Sequence, residues 1–283
     1  MAPTTELVYD VFVSGTLPQT GRGTLPNGDP RIWSPLSSTL ISGQENAVLV
    51  DPPMTVDQTT RVGDWIEASG KTLSHIYITH GHGDHWFGAG PLAERFPGVT
   101  VLATPGTLQE MAMHGSPEFR SSFWDSIFPD QIPPTTTVTQ PVDNGSFELE
   151  GHELQIIEVG HTDTDNTTML FVPSVGLLVA GDAVYNGVHP YLTESQDGGL
   201  EAWLRAIDIA ENLEPKFVVA GHKNPALPDL PGQIQETRKY LLDASKLLAE
   251  EPTPEEFFSA MLALHPDRIN PGALWGAAMK LLS

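Results

Sequence analysis

Thr79-His80-Gly81-His82-Gly83-Asp84-His85 sets three imidazoles and a carboxylate within six residues, directly behind the apolar run Leu73 to Thr79, which reads as a buried strand. A strand end delivers His80 and His82 to one place. Gly81 and Gly83 are expected to let the chain turn so that Asp84 and His85 point back toward the same spot. Four such donors in one short turn predict a metal site, with two ions as the natural reading.

Outward from this run, the amino-terminal part alternates short β-rich stretches with turns: Glu6 to Ser14, Leu36 to Ser42, and Ala47 to Asp51, the last followed by Pro52-Pro53. A helix pattern over Val56 to Ser69, with Trp65 and Ile66 on its apolar side, separates these from the strand that feeds the histidines. Beyond Trp86 and Phe87 come a short helix (Pro91 to Phe96) and a strand (Val99 to Ala103). The stretch Pro105 to Pro134, irregular, aromatic and helical in part, holds Met111, Met113, Phe119, Phe123, Trp124 and Phe128, and reads as ordinary core or as the wall or lid of a substrate pocket. From Thr135 the β pattern resumes, with Val138, Gly145 to Leu149, Glu153 to Val159, Thr168 to Val172 and Gly176 to Ala180. A helix (Leu200 to Leu213) and a strand (Lys216 to Ala220) complete what looks like a repeat of the first half. Two β-rich halves, each finished with helices, imply two sheets packed together with helices outside, an α+β architecture. Residues from about 228 to 283 form a helical extension, with patterns at Gln233 to Glu250, Pro254 to Leu264 and Pro271 to Leu282 parted by Pro252 and Pro266. No linker divides the chain, so residues 1–283 are read as one domain.

Of 283 residues, 40% are hydrophobic, ample for a substantial core. Without cysteine, any metal must be held by histidine, aspartate or glutamate, and neither disulfides nor thiolate sites are possible. The start Met1-Ala-Pro-Thr-Thr-Glu-Leu has no basic or apolar signal region, and no run reaches about 18 apolar residues, so a cytoplasmic, non-membrane protein is expected. Fourteen basic against 36 acidic side chains give a formal charge of -22, a field that repels phosphate backbones and excludes nucleic acid as a partner. Monomer and homodimer both stay open.

Three later stretches each end an apolar strand at a ligand-type side chain beside a glycine: Val159-Gly160-His161, Val179-Ala180-Gly181-Asp182 and Val219-Ala220-Gly221-His222. With these, the chain resembles the metallo-β-lactamase superfamily over nearly its whole length, since His80, His82, Asp84, His85, His161, Asp182 and His222 match that family's ligand set in order. The resemblance implies a four-layer αββα sandwich with extra carboxyl-terminal helices and the site at one edge between the sheets. It assigns His80, His82 and His161 to one metal and Asp84, His85 and His222 to the other, with Asp182 bridging and Asp51 supporting the histidine loop from behind. Two departures stand out: Asp51-Pro52-Pro53 in place of an aspartate followed by a small residue and glycine, and His161-Thr162-Asp163-Thr164 in place of His-Thr-Pro-Gly. An aspartate at 182, where the best-known β-lactamases have cysteine, makes the chain look like the lactonase, thioesterase and general hydrolase branches.

Two divalent cations about 3.5 to 4 Å apart can share a water and lower its pKa to near neutrality. The expected function is therefore a dinuclear metal-dependent hydrolase, in which a bridging hydroxide attacks the carbonyl of a small, largely uncharged lactone, ester or amide. Zn2+ is the expected ion, with Mn, Fe or Co compatible with the same donors. Asp84 is the candidate to orient the water and carry its proton. Tyr185, three residues past Asp182, is a candidate donor to the developing oxyanion, as in the superfamily's N-acyl homoserine lactone lactonases, or else an aromatic cover for the pocket floor. Trp86, Phe87, Phe123, Trp124 and Asn186 are candidate substrate contacts; Lys223 follows a ligand closely, and His114 and His189 are further candidates for the pocket wall. Three alternatives remain: a thioester hydrolase of the hydroxyacylglutathione type, which would need cationic groups, a mononuclear iron sulfur dioxygenase, and a non-catalytic, metal-stabilised interaction protein.

Overall fold

The computed structural model describes residues 6–134 and 138–282. The first half contributes β1 (Val8–Ser14), β2 (Leu17–Pro18), β3 (Ile32–Trp33), β4 (Leu36–Ser42), β5 (Asn46–Val50), β6 (Thr72–Tyr77), β7 (Thr100–Ala103) and β8 (Thr139–Pro141). Its helices are α1 (Val56–Ala68), α2 (Ala89–Arg95), α3 (Pro105–His114), α4 (Pro117–Phe119) and α5 (Asp125–Ile127). The second half contributes β9 (Ser146–Leu149), β10 (His152–Gly160), β11 (Thr167–Val172), β12 (Leu177–Asn186) and β13 (Phe217–Lys223), with α6 (Gly199–Asn212), α7 (Gly232–Leu248), α8 (Pro254–Leu264) and α9 (Pro271–Leu281). Thr135, where the β pattern was expected to resume, lies outside the described residues.

Local sequence accounts for most of these boundaries. Thr55 and Gln58 form a reciprocal capping box that starts α1, and Thr253 and Glu256 do the same for α8, where Pro254 sits in the first turn without losing a hydrogen bond. In α6, Leu200, Trp203, Ile207 and Ala210 recur at helical spacing and are the buried face. Every residue of β4 and of β12 is buried, which explains why both read as continuous apolar runs with small polar residues rather than as alternating strands.

Eleven strands form one sheet in the order β8-β7-β6-β5-β4-β13-β12-β11-β10-β9, with β1 also on β4, while β2 and β3 pair with each other apart from it. At its middle, β4 and β13 meet through a single residue pair, Leu36 opposite His222. The sheet curls there into a half-barrel, so its two halves face each other. Val48, Val50 and Tyr77 from one half pack against Leu154, Leu170, Val179 and Val219 from the other. Ile66 and Leu92 cover the outer face of the first half, and Trp203, Tyr240, Phe257 and Leu274 cover that of the second. The result is an αββα sandwich with extra carboxyl-terminal helices.

Two elements run further than the sequence expectation. The strand expected to end at Ala180 runs on to Asn186, because β12 shifts register against β13 between Val179 and Gly181 and again between Gly181 and Tyr185. These irregularities free Asp182 to turn inward without ending the strand. The stretch 105–134 is largely helical, starting at α3, where Thr104 caps Thr107 N–H at 3.2 Å, and passing through a wide π-type turn over Arg120–Trp124. Among the described residues no helix is long and apolar enough to cross a membrane.

Candidate metal centre

Beyond β6, the histidine run is held from behind by Asp51. Its Oδ1 accepts Thr79 N–H at 2.9 Å, and its Oδ2 accepts the Thr79 hydroxyl at 2.7 Å and His85 Nδ1–H at 3.0 Å. The Thr79 hydroxyl, its proton given to Asp51, accepts from His80 Nδ1 at 2.9 Å, and Pro35 carbonyl accepts from His222 Nδ1 at 2.8 Å. Each outer nitrogen thus carries the proton, and the lone pair of the opposite nitrogen faces the centre. His82 is turned the other way, its Nε2 on Glu194 Oε1 at 3.1 Å and its Nδ1 inward.

Gly81 and Gly83 do not act as the sequence suggests. Neither has a positive φ. What they supply is room: a Cβ on Gly81 would stand 2.1 Å from Glu110 Cβ on α3, and one on Gly83 would stand 2.2 Å from the Phe87 ring. A third close approach occurs at Gly221, where a Cβ would lie 2.1 Å from Asp182 Oδ1.

The inward atoms fall into two groups, His80/His82/Asp163 and Asp84/His85/His222, each with its donor atoms within 4.8 Å of one another and every member buried. Asp163 Oδ2 lies 2.8 Å from His82 Nδ1 and 3.6 Å from His80 Nε2. Asp84 Oδ2 lies 3.4 Å from His222 Nε2 and 4.0 Å from His85 Nε2. Asp182 reaches His85 and His222, at 3.3 Å each, through separate oxygens. The His80 and His85 rings are 4.1 Å apart, so the groups adjoin. His80 Nε2, His85 Nε2, Asp163 Oδ2 and Asp182 Oδ1 are buried with no hydrogen-bond partner. Four such atoms, two beside each group, are costly unless cations take their lone pairs, and nitrogen with carboxylate oxygen is a donor set that suits divalent metals.

The electrostatics agree. Burial pushes the Asp182 carboxyl up to about 6, against the pull of His222 and His85. Burial also opposes charge on Asp84 and Asp163, but His85 and His222 hold the first, and His80 and His82 the second, well below the usual carboxylate range. His85 is raised to about 10, because Asp182, Asp84 and Asp51 outweigh its burial. Three carboxylates gathered in a dry site call for positive charge among them, which bound cations provide directly.

The structure brings together His80, His82, Asp84, His85, Asp182 and His222, but not His161. The His161 Nδ1 pairs with Asp165 Oδ1 at 2.7 Å, and its Nε2 lies against Gly199. Gly160, with φ 78, turns the chain at the end of β10, and Asp163 arrives beside His80 and His82 instead. The signal was visible as the departure His161-Thr162-Asp163-Thr164.

The centre opens into a cleft of about 250 Å³ floored by His82, Asp84, Asp182 and His222 and walled in part by Phe119, Phe123 and Trp124. Trp33 lines it too and donates its Nε1–H to Asp84 Oδ2 at 2.7 Å, a contact with no sequence signal. Tyr185 faces the cleft, and its hydroxyl donates to Asp182 Oδ2 at 2.5 Å. His114 and His189 both reach the wall. Burial, then the charge of His82, brings His114 down to about 3, and it accepts from Trp124 Nε1 at 3.2 Å. Trp86, Phe87 and Asn186, expected as substrate contacts, are off the cleft. Trp86 and Phe87 are core, Trp86 donating to Gly81 carbonyl at 2.9 Å, and Asn186 is buried with its amide on Pro228 carbonyl at 3.0 Å. Lys223 is buried and paired with Asp229 at 2.5 Å.

A family model described as the metallo-β-lactamase superfamily matches residues 31–222, from β3 to the last inward imidazole. The chain belongs to the metallo-β-lactamase superfamily. Solved members share its fold at low identity. A metallo-β-lactamase family protein from Thermus thermophilus is 20% identical, with 96% of this chain and 91% of that chain covered and a TM-score of 0.66. A metallo-β-lactamase from Pontibacter korlensis is 22% identical, covering 84% of this chain and 100% of its own, at a TM-score of 0.59. The FIM-1 metallo-β-lactamase from Pseudomonas aeruginosa, solved in a mono-zinc form, is 15% identical over 85% of this chain and 92% of its own, at a TM-score of 0.55. No curated protein matches. Superfamily membership and the two His/Asp groups together support a metal-dependent hydrolase.

Proposed function

We propose that this chain is a dinuclear metal-dependent hydrolase acting on the carbonyl of a small lactone, ester or amide. The observation that carries the reading is the pair of adjoining donor groups, with Asp182 against the second, at the floor of an aromatic-walled cleft. His80, His82 and Asp163 would hold one ion; Asp84, His85 and His222 would hold the other; Asp182 would serve both. Bound there, the ions supply Lewis acidity toward a carbonyl and a water acidic enough to react near neutral pH.

The chain's own groups do the rest. Asp84 stands on the cleft floor with one oxygen fixed by Trp33, which orients the carboxylate to take a proton and pass it to the leaving group. Tyr185 gives its only proton to Asp182 and so positions that carboxylate, a narrower role than the direct oxyanion donor the sequence suggested. Phe123 and Trp124 exclude water from the apolar part of the substrate.

The test is to strip the protein of metal, restore Zn2+ or Mn2+, count bound equivalents, and assay lactones, carboxylic esters, thioesters and β-lactams. Two equivalents and turnover of lactones or esters are expected, with Asp84→Ala and Asp182→Ala folded but inactive. Inactivity toward every lactone and ester, or one iron with oxygen consumption, overturns the reading.

A further inference from the structure

Two of the chain's eight arginines line the cleft that the donor groups floor: Arg22 and Arg31. In a chain with 36 acidic side chains, neither makes an ion pair among the described residues. Arg22 lies over the Phe123 ring, 5.0 Å from its centroid. Arg31 gives one Nη2 hydrogen bond to Gly272 carbonyl at 3.1 Å, at the start of α9, while its Nε is buried with no hydrogen-bond partner. Burial first, then the like charge of Arg22, lowers the Arg31 pKa, with Tyr191 acting the other way. The carboxylates on the cleft wall are already engaged: Asp84 and Asp182 belong to the donor cluster, and Glu194 is held by His82 at 3.1 Å. A half-buried guanidinium whose Nε–H is buried and unused is costly to maintain, and its planar fork matches a carboxylate.

We infer that the substrate carries a carboxylate besides the carbonyl that reacts, and that Arg31, assisted by Arg22, holds it. This rests on the hydrolase reading and narrows it from the largely uncharged substrate expected from the sequence. A monoanion is favoured over a phosphate ester, because the field of a chain at -22 opposes each further negative charge on the ligand. Two anchors on one small molecule, a carbonyl at the donor cluster and a carboxylate at Arg31, leave it a single orientation over Phe123 and Trp124.

The experiment uses metal-loaded protein and a matched pair of esters, mono-4-nitrophenyl glutarate and neutral 4-nitrophenyl butyrate. The expected result is a kcat/KM at least about tenfold higher for the anionic ester, with Arg31→Gln losing about tenfold on it through KM while the neutral ester stays within about twofold. Arg22→Gln, which removes a group resting only on Phe123, is expected to cost the anionic ester alone about threefold, and it decides the matter should Arg31→Gln fail to fold. Equal treatment of the two esters by the wild type, or equal loss on both in the variants, overturns the inference. In parallel, monomethyl glutarate is titrated against tryptophan fluorescence, since Trp33 and Trp124 line the cleft. Its dissociation constant is expected to rise at least about fivefold in Arg31→Gln. If neither ester nor any lactone or ester of the first screen is hydrolysed yet this binding depends on Arg31, the hydrolase reading falls and the anion site stands. If the neutral ester turns over and binding ignores Arg31, the anion site falls and the hydrolase reading stands.

Discussion

At Asp163 a carboxylate stands beside His80 and His82, where the family pattern leads one to expect the imidazole of His161. Substituting oxygen for nitrogen adds a negative charge and hardens the donor set, which moves preference from zinc toward manganese or iron. The exchange predicts an asymmetry between neighbours. Asp163→Ala should lose one metal equivalent, or bind it at least about a hundredfold more weakly, whereas His161→Ala should keep both. Metal content after dialysis against a weak chelator checks this, and retention of both ions by Asp163→Ala would show that the first group is not a site. Most of the inward residues were legible in the sequence because strand-end spacing and scarce residue types mark them. Asp163 was seen only as an oddity, since spacing shows which residues are near one another and not which of two neighbours turns inward. Trp33, Glu194, Arg22 and Arg31 carried no signal at all. They reach the cleft from segments far along the chain, and a lone tryptophan or arginine has no local pattern.

Among the elements, the turn between β9 and β10 does more than reverse the chain. Glu150, with φ 49, extends its carboxylate to the turn between β4 and β5, accepting the N–H groups of Gln44, Glu45 and Asn46 at 2.6, 2.8 and 2.7 Å. Led by the Glu45 bond, these hold its pKa down to about 2. A folded-state value below the unfolded one contributes stability that is fully present above about pH 4.5 and is lost as the pH falls toward 2. Glu150→Gln should therefore be less stable than wild type at pH 6, with the gap closing between pH 4.5 and 2; denaturant midpoints measured across that range check it, and a gap that persists at pH 2 would assign the effect to packing. Elements with sharp ends, such as β4 between its flanking turns and α8 between Pro252 and Pro266, were legible to the residue. The continuation of β12 past Asp182 and the bounds of the helices within 105–134 were not. A register shift depends on the partner strand, and α3 owes its start to the Thr104 cap rather than to an apolar stripe.

Over the whole molecule, the sheet halves are paired strand to strand through one residue pair at the seam, and the donor groups bridge the same seam. His80 and His82 come from the first half and Asp163 from the second; Asp84 and His85 come from the first and His222 from the second. Ions bound there would tie the halves together and draw on folding free energy. At a thousandfold excess over the dissociation constant, one ion adds about 4 kcal/mol, or about 10 °C in Tm for a chain of this size. Chelation should lower Tm by at least that much, as calorimetry with and without chelator would show; an unchanged Tm would mean that the cluster holds no metal.

The family match ends at His222, yet the cleft does not. Gln19 and Arg22 on one side, and Asn270, Gly272 and Gly276 on the other, complete its wall from outside the matched segment. Part of the cleft wall thus lies apart from the stretch that carries the donors, although Arg31, Phe123 and Trp124 fall within that stretch. Variation confined to those flanks can redraw what is admitted while every inward donor stays untouched, so this scaffold is open to acquiring new substrates without relearning its chemistry.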